Sequence, residues 1–260
     1  MHTQDFFTYF DPYFVIFLCP MNASPFLLLA AALLPAVVLM FFILRRDREH
    51  PEPIGQLVKA FFCGVASVFV SLLFSTPFVY SGILPNGYTD ALSATIYSFG
   101  AAALPEETAK LIMLWLFLRK NKEFDEHLDG VVYAVCVGLG FAAFENVMYL
   151  FDAGDAWFGT AIARGLLSVP GHFFFAVLMG YYYSLVHFGH DSWHNRVFVL
   201  AAPVLAHGIY DAICMTTEVN ETFEGLLTIG LLLFCNELRK LGTRHIRELV
   251  EADRIYKHFS

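Results

Sequence analysis

The residues that could do chemistry sit where the chain is otherwise apolar. Pro105 to Lys110 reads P-E-E-T-A-K inside an apolar run from Ala91 to Leu118. Lys110 is four residues from Glu106 and three from Glu107, so on a helix it can pair with either. Glu145 lies in F-A-A-F-E-N-V-M-Y, and His172 follows Pro170-Gly171. His207 and Asp211 share H-G-I-Y-D, a spacing that puts both on one helical face. Ionisable groups buried in a bilayer cost at least about 2.5–3.5 kcal/mol each and are functional by default. Carboxylates with two histidines fit hydrolysis. A Glu can deprotonate a water, and histidines can stabilise an oxyanion or hold a metal. Two histidines and one carboxylate can hold Zn²⁺ with one position open, leaving another Glu as base. Asp211 can orient His207 or help bind such a metal. No H-E-x-x-H and no G-x-S-x-G is present, and no organic cofactor is expected.

These groups need helices to position them. The chain has 260 residues, 57% hydrophobic and 15% charged, with mean hydropathy +0.58. Its apolar residues come in blocks, several of about 18 residues or more almost without charge, which excludes a soluble core. The expected fold is all-α, a polytopic transmembrane bundle of seven to eight spans. The spans fall at about Pro25–Leu44, Leu57–Leu84, Ala91–Leu118, Gly130–Phe151, within Trp157–Val186, Val197–Met215 and Phe223–Cys235. Breaks are expected at Pro105 and Pro170, because proline lacks an N–H and disfavours helix before it. Pro105 then starts a half-helix with Glu106 and Glu107 in its first turn. Ala134, Gly138 and Ala142 form a small-residue ridge that draws the Glu145 helix into the bundle centre.

Three regions result. Residues 1–24 form an interfacial or short membrane segment, with Phe6–Cys19 as a possible eighth span and no removable signal peptide. Residues 25–236 form the membrane bundle, and residues 237–260 an amphipathic tail. Arg45, Arg46, Arg48, Arg119, Lys120, Lys122, Arg196, Arg239 and Lys240 fall in alternate loops and the tail, whereas the opposite loops carry only Arg164. By the positive-inside rule the C-terminus is cytoplasmic. The net charge of −8, with bases scattered among acids, points away from nucleic acid. The five cysteines read as buried apolar residues. Counted from the segment ends, Glu106, Glu107, Glu145, His172 and His207 share one depth, as a joint site would. The same groups would also suit a proton- or ion-coupled transporter, or a scaffold held together by buried pairs.

The motifs in order carry a resemblance. R-R-D-R-E-H-P-E-P, E-E-T-A-K, the block D-G-V-V-Y-A-V-C-V-G-L-G-F-A-A-F-E-N-V-M-Y, R-G-L-L-S-V-P-G-H and H-G-I-Y-D run from about Arg45 to Asp211. Together they resemble the PrsW family of intramembrane proteases, within the wider CAAX-protease-like superfamily. The resemblance implies a peptide-bond hydrolase in a bacterial plasma membrane, with Glu106, Glu107, Glu145, His172, His207 and Asp211 in its site. Its substrates would be membrane-anchored proteins, with anti-sigma factors as the family theme. On this reading Glu106 or Glu107 activates water, and Glu145, His172 and His207 are metal ligands, Zn²⁺ being the candidate, or oxyanion stabilisers. Asp211 orients His207 and Lys110 balances the glutamates. Prenyl endopeptidases of the superfamily carry a His where this chain has Glu145, so a prenylated substrate is not implied.

Overall fold

The fold follows from where polar caps and prolines interrupt long apolar runs. A computed structural model describes residues 23–48 and 50–259. The expected segment at residues 1–24, apart from Ala23 and Ser24, lies outside the described residues. Helix α1 spans Pro25–Leu44, capped by Ser24, and α2 spans Ile54–Tyr80. Helix α3 spans Ala91–Tyr97, and Asp90 caps it by accepting from the amides of Leu92 and Ser93. A π-helical stretch, Ser98–Ala103, leads into α4, Leu104–Leu118. Helix α5 spans His127–Asp152. Helix α6, Trp157–Ala163, passes through a second π-helical stretch, Arg164–Ser168, into α7, Val169–His187. Helices α8 and α9 span Trp193–Val219 and Glu224–Phe259. No strand occurs among the described residues.

Five helical stretches are long and apolar enough to cross a membrane: Pro25–Leu44, Ile54–Tyr80, His127–Asp152, Gly154–His187 and Trp193–Val219. The remaining expected crossings fall on α3–α4 and the start of α9. Both carry charge within the helix, Glu106, Glu107 and Lys110 in one and Glu237, Arg239 and Lys240 in the other, which lowers their apolarity. The chain is an integral membrane protein. Its outer surface is apolar, with Phe26, Leu34, Phe41, Phe62 and Leu73 exposed as lipid-facing side chains would be.

The expected breaks take the form of π turns, not gaps. Leu104 N–H bonds to Phe99 O, and Val169 N–H bonds to Arg164 O, each five residues back. Pro105 and Pro170 then sit at the start of α4 and α7, where a missing N–H is tolerated. The wider turn removes the clash that a proline ring makes with the carbonyl four residues earlier.

Helix α5 is the central element, buried along most of its length. Glycine makes this possible at its crossing with α2. A Cβ on Gly140 would lie 2.0 Å from Phe61 O, and one on Gly64 2.0 Å from Val137 O. The expected ridge is also used: Gly138 meets α7, where an added Cβ would lie 2.6 Å from Ala176 Cβ.

The tail does not leave the bundle as a separate helix. Helix α9 runs without interruption through the end of the seventh expected span. Asp253 accepts from the amides of His127 and Leu128 at 2.8 and 2.9 Å, capping α5. Near this end lies a buried acidic group. Asp47 accepts from Glu52 N–H at 3.2 Å, and Tyr133 O–H donates to Glu52. Burial pushes Asp47 from 3.8 up to about 7, aided by the charges of Glu52, Glu126 and Asp253. Burial also raises Glu52. A raised carboxyl stabilises the fold fully below its unfolded pKa of about 4 and loses that contribution as pH rises to the folded value.

Asp47→Asn keeps the acceptor and removes the titration. Its unfolding temperature is expected to fall less than that of the wild type between about pH 4 and pH 7. Equal pH slopes for the two proteins would contradict the assignment.

Candidate active site

The two π turns deliver their polar residues to the same place. Glu106 and Glu107 follow the first in α4, and His172 follows the second in α7. Helix α8 brings His207 and Asp211, and α5 brings Glu145. All seven residues expected from the sequence converge. Helix α8 fits tightly because residue 208 is glycine: a Cβ there would lie 2.4 Å from the Phe99 ring on the π turn.

Lys110 stands at the centre. Its Nζ donates to Glu107 Oε1 at 2.7 Å, lies 3.7 Å from Glu106 Oε2, and lies 3.1 Å from His172 Nδ1. It also sits 4.0 Å from the centre of the Phe141 ring. Glu107 is fully buried, and its Oε1 also faces His207 Nδ1 at 2.8 Å. His207 Nε2 faces Asp211 Oδ2 at 3.2 Å and Glu106 Oε2 at 3.9 Å. The His207 ring stacks on Phe175, with centres 4.8 Å apart, and its centre is 5.1 Å from that of His172. His172 Nε2 faces Glu145 Oε2 at 3.1 Å. An ammonium offers only donors. His172 Nδ1 therefore accepts from Lys110, and Nε2 carries the hydrogen that Glu145 receives.

The adjacent glutamates part ways. Glu106 lines a cavity of about 100 Å³, along with Glu145, His172, His207 and Asp211, whereas Glu107 points behind it. Oε2 of Glu106 is buried and accepts no hydrogen bond from the described residues. Ser71, Ser75, Tyr149, Arg164 and Tyr210 complete much of the wall.

The sequence around this site matches a known family. A sequence profile described as PrsW family intramembrane metalloprotease matches residues 52–235. The chain belongs to the PrsW family. It is 33% identical to "Protease PrsW" of Geobacillus kaustophilus (strain HTA426), over 79% of this chain and 88% of that protein. It is 34% identical to "Protease PrsW" of Clostridioides difficile (strain 630), over 71% and 77% of the two chains. It is 30% identical to "Protease PrsW" of Bacillus subtilis (strain 168), over 83% and 94%. No solved structure gives a significant match. This PrsW chain is thus an intramembrane protease acting on membrane proteins.

Two findings depart from the sequence reading. The ligand atoms that lie within 4.8 Å of one another belong to Glu106, His172 and His207, not to Glu145, His172 and His207. The oxygen of Glu145 facing His172 is also 2.6 Å from Arg164 Nη2. Arg164 itself is not a loop residue. The helix starts at Trp157, so Arg164 lies about two turns inside it, its side chain 12% exposed. Its partner Asn146, which bonds Ala32 O at 2.8 Å, was likewise not singled out by the sequence. The available signal was one arginine between apolar residues, eight positions before His172.

Gly208→Ala should displace Phe99 and with it the π turn that carries Glu106. Overpacking of this kind costs about 1–3 kcal/mol. Unfolding of the purified protein is expected to show that loss together with slower cleavage; wild-type stability would contradict the close approach.

Proposed function

We propose that this PrsW protease cleaves membrane-anchored proteins with Glu106 as the carboxylate that meets the attacking water. The observation that carries the reading is the free, buried Oε2 of Glu106 on the cavity wall. A carboxylate there can accept the proton of a water as it attacks a peptide carbonyl. Glu107 has another task. Its Oε1 engages both Lys110 and His207 Nδ1, so it holds the imidazole with Nε2 towards the cavity. Asp211 steadies the same nitrogen from below. Lys110 offsets the charge of both glutamates and presses on His172 Nδ1. His207, on the cavity wall, is the donor positioned to stabilise a developing oxyanion.

The donor set also fits a divalent cation such as Zn²⁺. Two imidazoles and one carboxylate suit it, Glu106 Oε2 has no competing hydrogen bond, and Glu107 backs His207 as an outer carboxylate backs a metal-binding His. Glu106, His207 and His172, the last through the Nδ1 lone pair that otherwise accepts from Lys110, would hold the ion, which would polarise the carbonyl and acidify the water. The substrate class we propose is a membrane-anchored regulatory protein, an anti-sigma factor by the family's theme. The setting is a bacterial plasma membrane with the C-terminus in the cytoplasm, supported by the basic residues Arg45, Arg46, Arg119 and Lys120 at the end where α9 finishes.

Glu106→Gln is expected to lower kcat by about 10²–10⁴-fold while leaving the fold intact. Glu107→Gln should lose both cleavage and thermal stability, because Lys110 and His207 lose the negative charge they share. Metal analysis of wild type against His172→Ala reports whether an ion is held. Cleavage at the wild-type rate by Glu106→Gln would refute its role.

A further inference from the structure

Arg164 is the buried cation that the proposed chemistry leaves unused, and it touches the site at its most constrained point. Nη2 donates to Glu145 Oε2 at 2.6 Å, and Nε donates to Asn146 Oδ1 at 2.9 Å. Asn146 Nδ2 in turn donates to Ala32 O at 2.8 Å, which ties the pair to α1. The guanidinium lies 3.8 Å from the centre of the Tyr149 ring. The anchor is therefore fixed from three elements, α1, α5 and the second π turn.

The Glu145 oxygen that Arg164 holds is the same one that receives the hydrogen on His172 Nε2. That contact leaves Nδ1 as the only ring nitrogen of His172 with a lone pair, and Nδ1 faces Lys110. Without the guanidinium, Glu145 would lose its nearest positive partner and would be free to turn. His172 would then lose one of the two partners, Glu145 and Lys110, that select its tautomer.

We propose that Arg164 is a positioning residue of the protease site: it anchors Glu145 so that His172 keeps its hydrogen on Nε2 and presents Nδ1 to Lys110. This rests on the reading of the site given under the proposed function. The planar fork matters as well as the charge, since Arg164 reaches Glu145 and Asn146 through two different nitrogens. A lysine is a single point donor and cannot reproduce that span.

The test uses full-length protein in lipid, a single-span reporter protein that the wild type cleaves, and ¹⁵N spectra of labelled histidine assigned with His172→Gln. Arg164→Gln is expected to lower kcat about 10- to 100-fold with KM unchanged. It should also turn the Nε2–H signature of His172 into a mixture of tautomers. Added to Glu145→Gln, it should cause little further loss, because both changes break one unit. Arg164→Lys, which keeps the charge, serves if the Gln variant does not fold, and is expected to lose kcat and the pure tautomer as well. Wild-type kcat in the Arg164 variants overturns the proposal, and so does an unchanged His172 tautomer or a double variant showing the product of the single losses. A wild type that cleaves no membrane reporter would instead defeat the protease reading, while the spectra would still decide the tautomer claim.

Discussion

The buried ammonium of Lys110 is the interaction on which the rest of the structure depends. It lies within 2.7 Å of Glu107, 3.7 Å of Glu106 and 3.1 Å of His172. Two adjacent carboxylates in a membrane helix would otherwise face each other's charge with no water to screen it. Lys110 turns that liability into a fixed geometry. It draws Glu107 inward, where His207 completes the pairing, and leaves Glu106 facing the cavity. The same ammonium and Glu145, on opposite nitrogens of the ring, together set where His172 carries its hydrogen. One cation thereby sets the orientation of side chains from α4, α7 and α8.

Backbone devices hold these helices at the required distances. Each π turn leads into a helix with a proline in its first turn, and that helix carries site residues. Glycines then let helices touch: Gly64 and Gly140 join α2 to α5, and Gly208 seats α8 on Phe99. Phe141, Glu145 and Tyr149, along one face of α5, meet Lys110, His172 with Arg164, and Arg164 respectively. The α5 face is thus a ruler along which two cations are spaced.

Much of this was legible in the residues. Helix α1 has the bounds expected from Pro25 and Arg45, because cap and charge mark its two ends. The meeting of Glu106, Glu107, Glu145, His172 and His207 followed from their shared depth and their cost in lipid, and that of Asp211 from its i, i+4 spacing to His207. The direction of each adjacent glutamate was not legible, since neighbours on a helix diverge by about 100° and only the position of α8 decides between them. Arg164 was hidden for a similar reason. Its meaning lies in Glu145, nineteen residues earlier, and a lone arginine beside Gly165 resembles a loop charge. The continuity of α9 was not legible, because the onset of charge at Glu237 signals a change of surroundings and says nothing of where the helix ends.

The central claim is that Lys110 makes the buried glutamates tolerable, and the coupling between them tests it most directly. The measurement is the unfolding free energy of Lys110→Met, alone and combined with Glu107→Gln. Removing one partner of a buried pair costs about 3–5 kcal/mol, whereas removing both leaves no stranded charge. The predicted result is a loss of that size for Lys110→Met that Glu107→Gln largely restores. A Lys110→Met protein as stable as wild type, or a double variant whose loss is the sum of the two single losses, would contradict the account.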